Sequence, residues 1–208
     1  MRPPLALLPL CLLTCPAHGA DWSVELLIGD AYNADSHTKI KQGELGNISF
    51  TGDYETRGLE SPLHYEWRIA RWEDDRAWEL QLLHHKIFLQ NRPTGVEALS
   101  VSHGFNLLSV NRAVEHHGWH LRAGLGPVIT HAEARILGTS YDGPYELAGA
   151  AVVIGIDRRL DLSKHCYLMG EVSGTYGYAR AQPDGTPELE VTIRNPALHA
   201  QAGVGYRF

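Results

Sequence analysis

Pro196-Ala197-Leu198-His199-Ala200-Gln201-Ala202-Gly203-Val204-Gly205-Tyr206-Arg207-Phe208 alternates without a break. Leu198, Ala200, Ala202, Val204, Tyr206 and Phe208 share one parity, and His199, Gln201, Gly203, Gly205 and Arg207 share the other. A period of two is the signature of a β-strand, here with one apolar face and one polar or small face. An apolar outer wall and a polar interior suit a strand in lipid, where only a closed barrel satisfies every backbone group. The stretch predicts an all-β fold, a closed antiparallel up-and-down transmembrane β-barrel.

An aromatic residue closing this strand resembles the terminal strand that Gram-negative barrel assembly machinery recognises, which makes that machinery an expected partner. The other end agrees. Residues 1–20 read as a secretory signal peptide: Arg2, an apolar run from Leu5 to Leu13, and small residues around Ala17-His18-Gly19-Ala20. A second reading makes Cys15 a lipidated residue after Leu12-Leu13-Thr14, and Thr14 fits that poorly. Residues 21–208 are expected to form one barrel domain, located in the bacterial outer membrane after cleavage. No later segment approaches the roughly 18 consecutive apolar residues of a spanning helix. The net charge is -6, and -7 once Arg2 is removed, so a general nucleic-acid binder is not expected. Two of the three cysteines lie before residue 21, leaving Cys166 without an intramolecular partner.

Reading back from residue 208 gives strands at 196–208, 165–180, 145–156, 118–132, 98–113, 77–89 and 62–72, with the first starting at Trp22. That makes eight, with both ends of the chain on the periplasmic side. Short turns fall near 73–76, 114–117 and 157–164, and longer external connections at 30–60, 90–97, 133–144 and 181–195. The segment from Gly46 to Glu55 also reads as a strand; it is placed as a hairpin in the first external connection, with a ten-stranded barrel as the alternative. Trp67, Trp72, Trp78, Trp119 and Tyr206 suit interfacial aromatic belts.

Parity also exposes polar residues among lipid-facing ones. Trp78, Leu80 and Leu82 continue into His84, Lys86 and Phe88; His103 sits among Leu99, Val101, Phe105 and Leu107; Leu121, Leu125 and Ile129 continue into His131 and Glu133. A hairpin closing at 93–94 sets His84 opposite His103, and the next hairpin brings His131 beside it. Opposed Cβ atoms are about 5 Å apart, near enough for three imidazoles and a carboxylate to meet one ion. A divalent metal, Fe, Mn or Zn, is therefore the expected cofactor. At headgroup depth the cluster meets lipopolysaccharide sugars and phosphates, and Lys86 suits a phosphate. The bland explanation is interfacial polarity without chemistry, since charges near the interface cost little. Gly104, Gly126 and Pro127 are places where a bulge could flip the parity. Facing inward are Glu25, His64, Glu66, Arg68, Glu79, Gln81, His85, Ser100, Ser102, Asn106, Arg122, Glu171, Ser173 and Arg207. These read as a structural network. His116, His117 and His120 read as a solvated run at a turn.

Three motifs then occur in order: His84-His85-Lys86-Ile87-Phe88, Ser102-His103-Gly104-Phe105-Asn106-Leu107-Leu108 with Asn111, and Gly124 through His131 to Glu133. With Ser61-Pro62-Leu63-His64-Tyr65 and Trp78-Glu79-Leu80, they resemble the lipid A oxidase-like outer-membrane β-barrel family over roughly residues 22–135. The resemblance implies oxidation of the proximal glucosamine of lipid A with dioxygen, and lipid A, or lipopolysaccharide, as partner. The family's His-x-Lys pattern maps onto His84 and Lys86, its Gly-x-Asn element onto Gly104 and Asn106, and its terminal His onto His131. Lys86, Asn106 and Glu133 are then the expected catalytic residues and Lys86 and Asn111 the expected substrate contacts, while His84, His103 and His131 are expected metal ligands from their clustering and not from the resemblance. His103 departs from the family pattern, standing where an acidic residue is expected. Two alternatives stand beside this reading. One is a lipid A deacylase using Ser102 and His103, disfavoured because strand neighbours point to opposite faces. The other is a non-enzymatic structural or ligand-binding small barrel. A transport pore is disfavoured, because side chains fill so small a lumen.

Overall fold

The computed structural model describes residues 21–208 apart from 45 and 187. The signal-peptide and Cys15 readings lie outside the described residues. Among the described residues there are thirteen strands, all antiparallel to their partners: β1 (Asp21–Asn33), β2 (Ser36–Gln42), β3 (Gly46–Gly52), β4 (Tyr54–Glu55), β5 (Tyr65–Glu73), β6 (Arg76–His84), β7 (Ile87–Leu89), β8 (Val96–Val101), β9 (Phe105–His116), β10 (Trp119–Ile136), β11 (Thr139–Asp161), β12 (Cys166–Ala181) and β13 (Glu190–Arg207). Eight of these, β1, β5, β6, β9, β10, β11, β12 and β13, pair in that order. The ring closes where β13 meets β1, from Ser23 opposite Arg207 to Asn33 opposite Ala197. The fold is therefore an eight-stranded up-and-down barrel, and the ten-stranded alternative falls. Gly46–Gly52 pairs only with β2, as a hairpin outside the ring.

One end of the barrel has tight turns. At His117-Gly118, φ is positive at both residues (53° and 78°), the two-residue geometry that follows strand twist. The opposite end carries a cap. There β2 extends the sheet from β13, while β4, β7 and β8 pair in series and join β10. Ile40, Tyr54, Leu83, Ile87, Leu99 and Phe105 belong to one apolar cluster that fills this end.

The predicted strands 77–89 and 98–113 each break in two. β6 pairs with β9 as far as Leu83 opposite Leu107, while β7 pairs with β8 from Ile87 opposite Val101. Between them lies a kink at Gly104, where φ is +118°. The predicted parity is the wrong one on both sides of this kink: Leu99 and Val101 before it and Phe105 and Leu107 after it are buried, whereas Val110 and Val114 face out. The connection predicted at 133–144 is instead continuous strand around a turn at Leu137-Gly138.

Elsewhere parity holds. Leu26, Leu125, Ile154, Leu168, Val172 and Leu198 are exposed on the outer wall, as lipid-facing residues are. Trp78, Trp119 and Tyr206 are exposed there too. Trp72 is not: it packs against Ala70, Ala77 and Ala113 inside the turn end.

The lumen is filled. Arg68 donates to Glu25 at 2.7 Å, to Glu171 at 2.6 Å and to Glu66. Arg122 donates to Glu79 at 3.0 Å, to Glu171 at 2.5 Å and to Asp157. Tyr167 donates to Glu25 at 2.6 Å. Buried charges persist only when paired this densely. His120, expected to be solvated, is buried and lies 2.9 Å from Asp157, next to Trp72.

Candidate metal centre on the outer wall

β10 keeps its outward parity past the ring, so Ile129, His131 and Glu133 project from the same wall. His103 arrives from the turn between β8 and β9. His103, His131 and Glu133 each offer a ligand atom, and these atoms lie within 4.8 Å of one another. The His103 and His131 rings meet edge to face with centroids 4.8 Å apart, and His103 Nδ1 is 3.8 Å from Glu133 Oε1.

Neighbours orient each member. Asp142, on β11, stands opposite Glu133 in the β10–β11 ladder and accepts from His131 Nε2 at 2.8 Å. That places the ring proton on Nε2 and leaves the lone pair on Nδ1, which is buried with no hydrogen-bond partner. A carboxylate behind a histidine is how proteins orient metal ligands. Glu133 Oε2 accepts from Ser100 at 3.2 Å and from Ser102. Two imidazoles and one carboxylate suit Fe(II), Mn or Zn, and as a facial set with open positions they suit iron-dependent oxygen chemistry. The residues present thus fit the expected ion.

His84 lies outside this trio. It ends β6, is 6% exposed and stacks on Tyr65 with ring centroids 4.9 Å apart. Its Nδ1 donates to Asn106 Oδ1 at 2.7 Å, and its Nε2 is buried and unpartnered. The predicted pairing of His84 with His103 fails, because Leu83 opposite Leu107 brings His84 beside Asn106 instead. Asn106, assigned to the lumen, therefore faces outward; its Nδ2 also reaches the His103 carbonyl at 3.4 Å. His84, His103 and Asn106 line one outward hollow of about 330 Å³, walled by Tyr65, Leu82, Ile129 and Tyr145.

Two expected site residues are elsewhere. Lys86 is buried in the cap, where its Nζ donates to the Glu60 carbonyl at 2.8 Å. Burial holds its ammonium below the usual lysine range. The break after His84 takes Lys86 off the outer wall, so it holds no phosphate there. Asn111 points into the lumen and donates to Gln81 at 2.5 Å, since the parity of β9 is reversed. Ser100 and Ser102, also assigned to the lumen, face Glu133. Sequence reasoning missed Asp142, Tyr65 and Tyr145. Asp142 and Tyr145 lie at or beside the connection predicted at 133–144, and continuing the alternation of β10 beyond Glu133 would have pointed to a paired strand there.

No family model and no curated relative matches this chain. Solved structures with a similar course of chain include Ail, the attachment invasion locus protein of Yersinia pestis (11% identity, 91% of this chain and 97% of that one, TM-score 0.39). Neisserial surface protein A is similar at 12% identity, 91% and 97% coverage, and a TM-score of 0.40. The outer membrane protease OmpT from Escherichia coli is similar at 7% identity, 90% and 97% coverage, and a TM-score of 0.46. The barrel assignment rests on the closed strand pairing itself.

Proposed function

We propose that this barrel sits in the bacterial outer membrane and oxidises lipid A from its outer wall, at the proximal glucosamine. The observation that carries the reading is the His103, His131 and Glu133 trio, with donor atoms within 4.8 Å, opening sideways beside a hollow on an apolar wall. A divalent ion held by these three side chains, iron above all, supplies dioxygen activation. Asp142 fixes the His131 tautomer, and Ser100 and Ser102 hold Glu133. Asn106 holds the His84 ring at the edge of the hollow through Nδ1, where His84 helps shape the wall. Tyr65 and Tyr145 offer flat walls for a sugar ring. In the overall reaction C1 of the sugar loses two electrons, water supplies the new oxygen, and dioxygen leaves as hydrogen peroxide.

A second reading is favoured by one distance. Ser102 Oγ lies 3.2 Å from His103 Nδ1, because residues 102–104 form a turn rather than a strand. The parity objection to a Ser/His deacylase therefore falls. The Ser102 hydroxyl is directed at Glu133, however, and not at the imidazole, which suits a supporting serine better than a nucleophile.

Mass spectrometry of lipid A from cells expressing the wild type, His131→Ala or Ser102→Ala separates the two. Oxidation predicts a gain of one oxygen atom that His131→Ala abolishes and Ser102→Ala only weakens. Loss of an acyl chain that depends on Ser102 selects the hydrolase. Lipid A unchanged by a folded, inserted wild-type protein refutes both.

A further inference from the structure

A second histidine cluster lies inside the barrel, under the cap. His64 comes from the connection before β5, His85 from the residue after β6, and His199 from β13. All three are buried, His64 and His199 at 0% exposure. They touch one another: ring centroids are 5.2 Å apart for His64 and His199, 4.9 Å for His85 and His199, and 5.5 Å for His64 and His85. Their side chains bond to the hydroxyls of Thr56 and Thr175 and to each other. Burying three imidazoles is a cost that barrel packing alone does not explain.

We infer that His64, His85 and His199 form an enclosed site for a zinc-like divalent cation that pins the cap to the barrel wall. His64 Nε2 and His199 Nδ1 are 3.3 Å apart. Two imidazole nitrogens bound to one tetrahedral ion at about 2.0–2.1 Å stand about 3.3 Å from each other. Thr175 lies 2.9 Å from His199 Nε2, which leaves Nδ1 facing His64. Backbone bonds fix His64 from both sides, its N–H to the Gly58 carbonyl at 2.7 Å and its carbonyl from the Gly29 N–H at 3.2 Å. Its Nδ1 is buried and unpartnered. His85 is edge-on to both rings, and its Nε2 lies 3.1 Å from Thr56 Oγ1.

Among the described residues only the outer-wall trio has three donor atoms gathered within 4.8 Å. The inner trio needs one movement, a turn of the His85 ring about χ2, a soft torsion. Thr56 then keeps its bond from Asn33 at 2.8 Å. Three imidazoles without a carboxylate favour Zn, Cu or Ni over Mg or Ca. The ion would tie together the 56–64 connection, the base of the 85–104 excursion and the wall strand β13. Because the site is closed, loading belongs to folding.

The test uses the full chain refolded in detergent micelles with Zn²⁺ or Co²⁺, carrying His103→Ala and His131→Ala to remove the outer donors. After desalting against EDTA, this double variant should retain one ion per chain. It should also show the visible absorption of nitrogen-ligated tetrahedral Co²⁺. Adding His199→Gln, or separately His64→Ala, should abolish both signals and lower the cap's resistance to protease. A folded double variant that holds no ion overturns the inference, as does retention of the ion in both triple variants. Should one triple variant fail to fold, the other and the Co²⁺ spectrum of the double variant still decide. Lipid A that stays unmodified would refute the proposed function and leave this result untouched.

Discussion

Replacing Arg122 by Met should unsettle the whole barrel, because that guanidinium holds three carboxylates. Its side chain is wholly buried. Removing one partner of a buried ion pair costs about 3–5 kcal/mol, mostly from the charge left behind. Here the charges are not abandoned equally. Glu171 keeps Arg68 at 2.6 Å, and Asp157 keeps His120 at 2.9 Å. Glu79 fares worst, since its other guanidinium contact, Arg68 Nε, is 3.8 Å away. The expected loss is therefore at the low end of that range, about 3 kcal/mol, or roughly a hundredfold in the folding equilibrium. Glu79→Gln added to Arg122→Met removes the worst-placed charge and should restore about 1–2 kcal/mol. Urea unfolding of the chain in lipid vesicles, followed by tryptophan fluorescence, measures both values. A loss below about 1 kcal/mol, or a double variant less stable than Arg122→Met alone, refutes the claim that the network holds the lumen together.

Two further outcomes follow from the wall and the kink. Leu125, midway along β10 and 68% exposed, should cost about 2–4 kcal/mol when changed to Arg, against about 0–1 kcal/mol for Leu137→Arg at the cap-end turn; equal costs in vesicle refolding would contradict the assigned lipid face. In Gly104→Ala the new Cβ would stand 2.1 Å from Asn106 Oδ1 at a φ of +118°, so stability should drop by about 1–3 kcal/mol while iron affinity at the outer trio falls at least tenfold. Unchanged iron binding, measured by titration, would show that the kink does not place His103.

Much of the barrel was legible because its outer wall and lumen alternate strictly in β1, β10, β12 and β13. One polarity pattern there fixes both strand and facing. The 85–104 excursion was illegible for the same reason: β8 has alternating apolar residues too, but they serve the cap, and because the same parity stays buried on both sides of Gly104 an inward face resembles a lipid face. The outward placement of His131 and Glu133 was legible, because both continue the alternation of one strand. His103 reaches the outer site by a turn rather than by the parity first assigned, so its position was anticipated for the wrong reason. Lys86 and Asn111 were misplaced by the chain break after His84 and the reversed phase of β9. Asp142 was invisible because a connection, not a paired strand, was expected opposite Glu133.

The hollow beside His84 opens through the side of the wall and not into the lumen. A lipid reaching it never has to leave its own leaflet, so encounter is a search in two dimensions. Turnover would then follow the mole fraction of lipid A in the membrane, and diluting it with inert lipid would slow the reaction even when the bulk amounts of enzyme and lipid A stay constant.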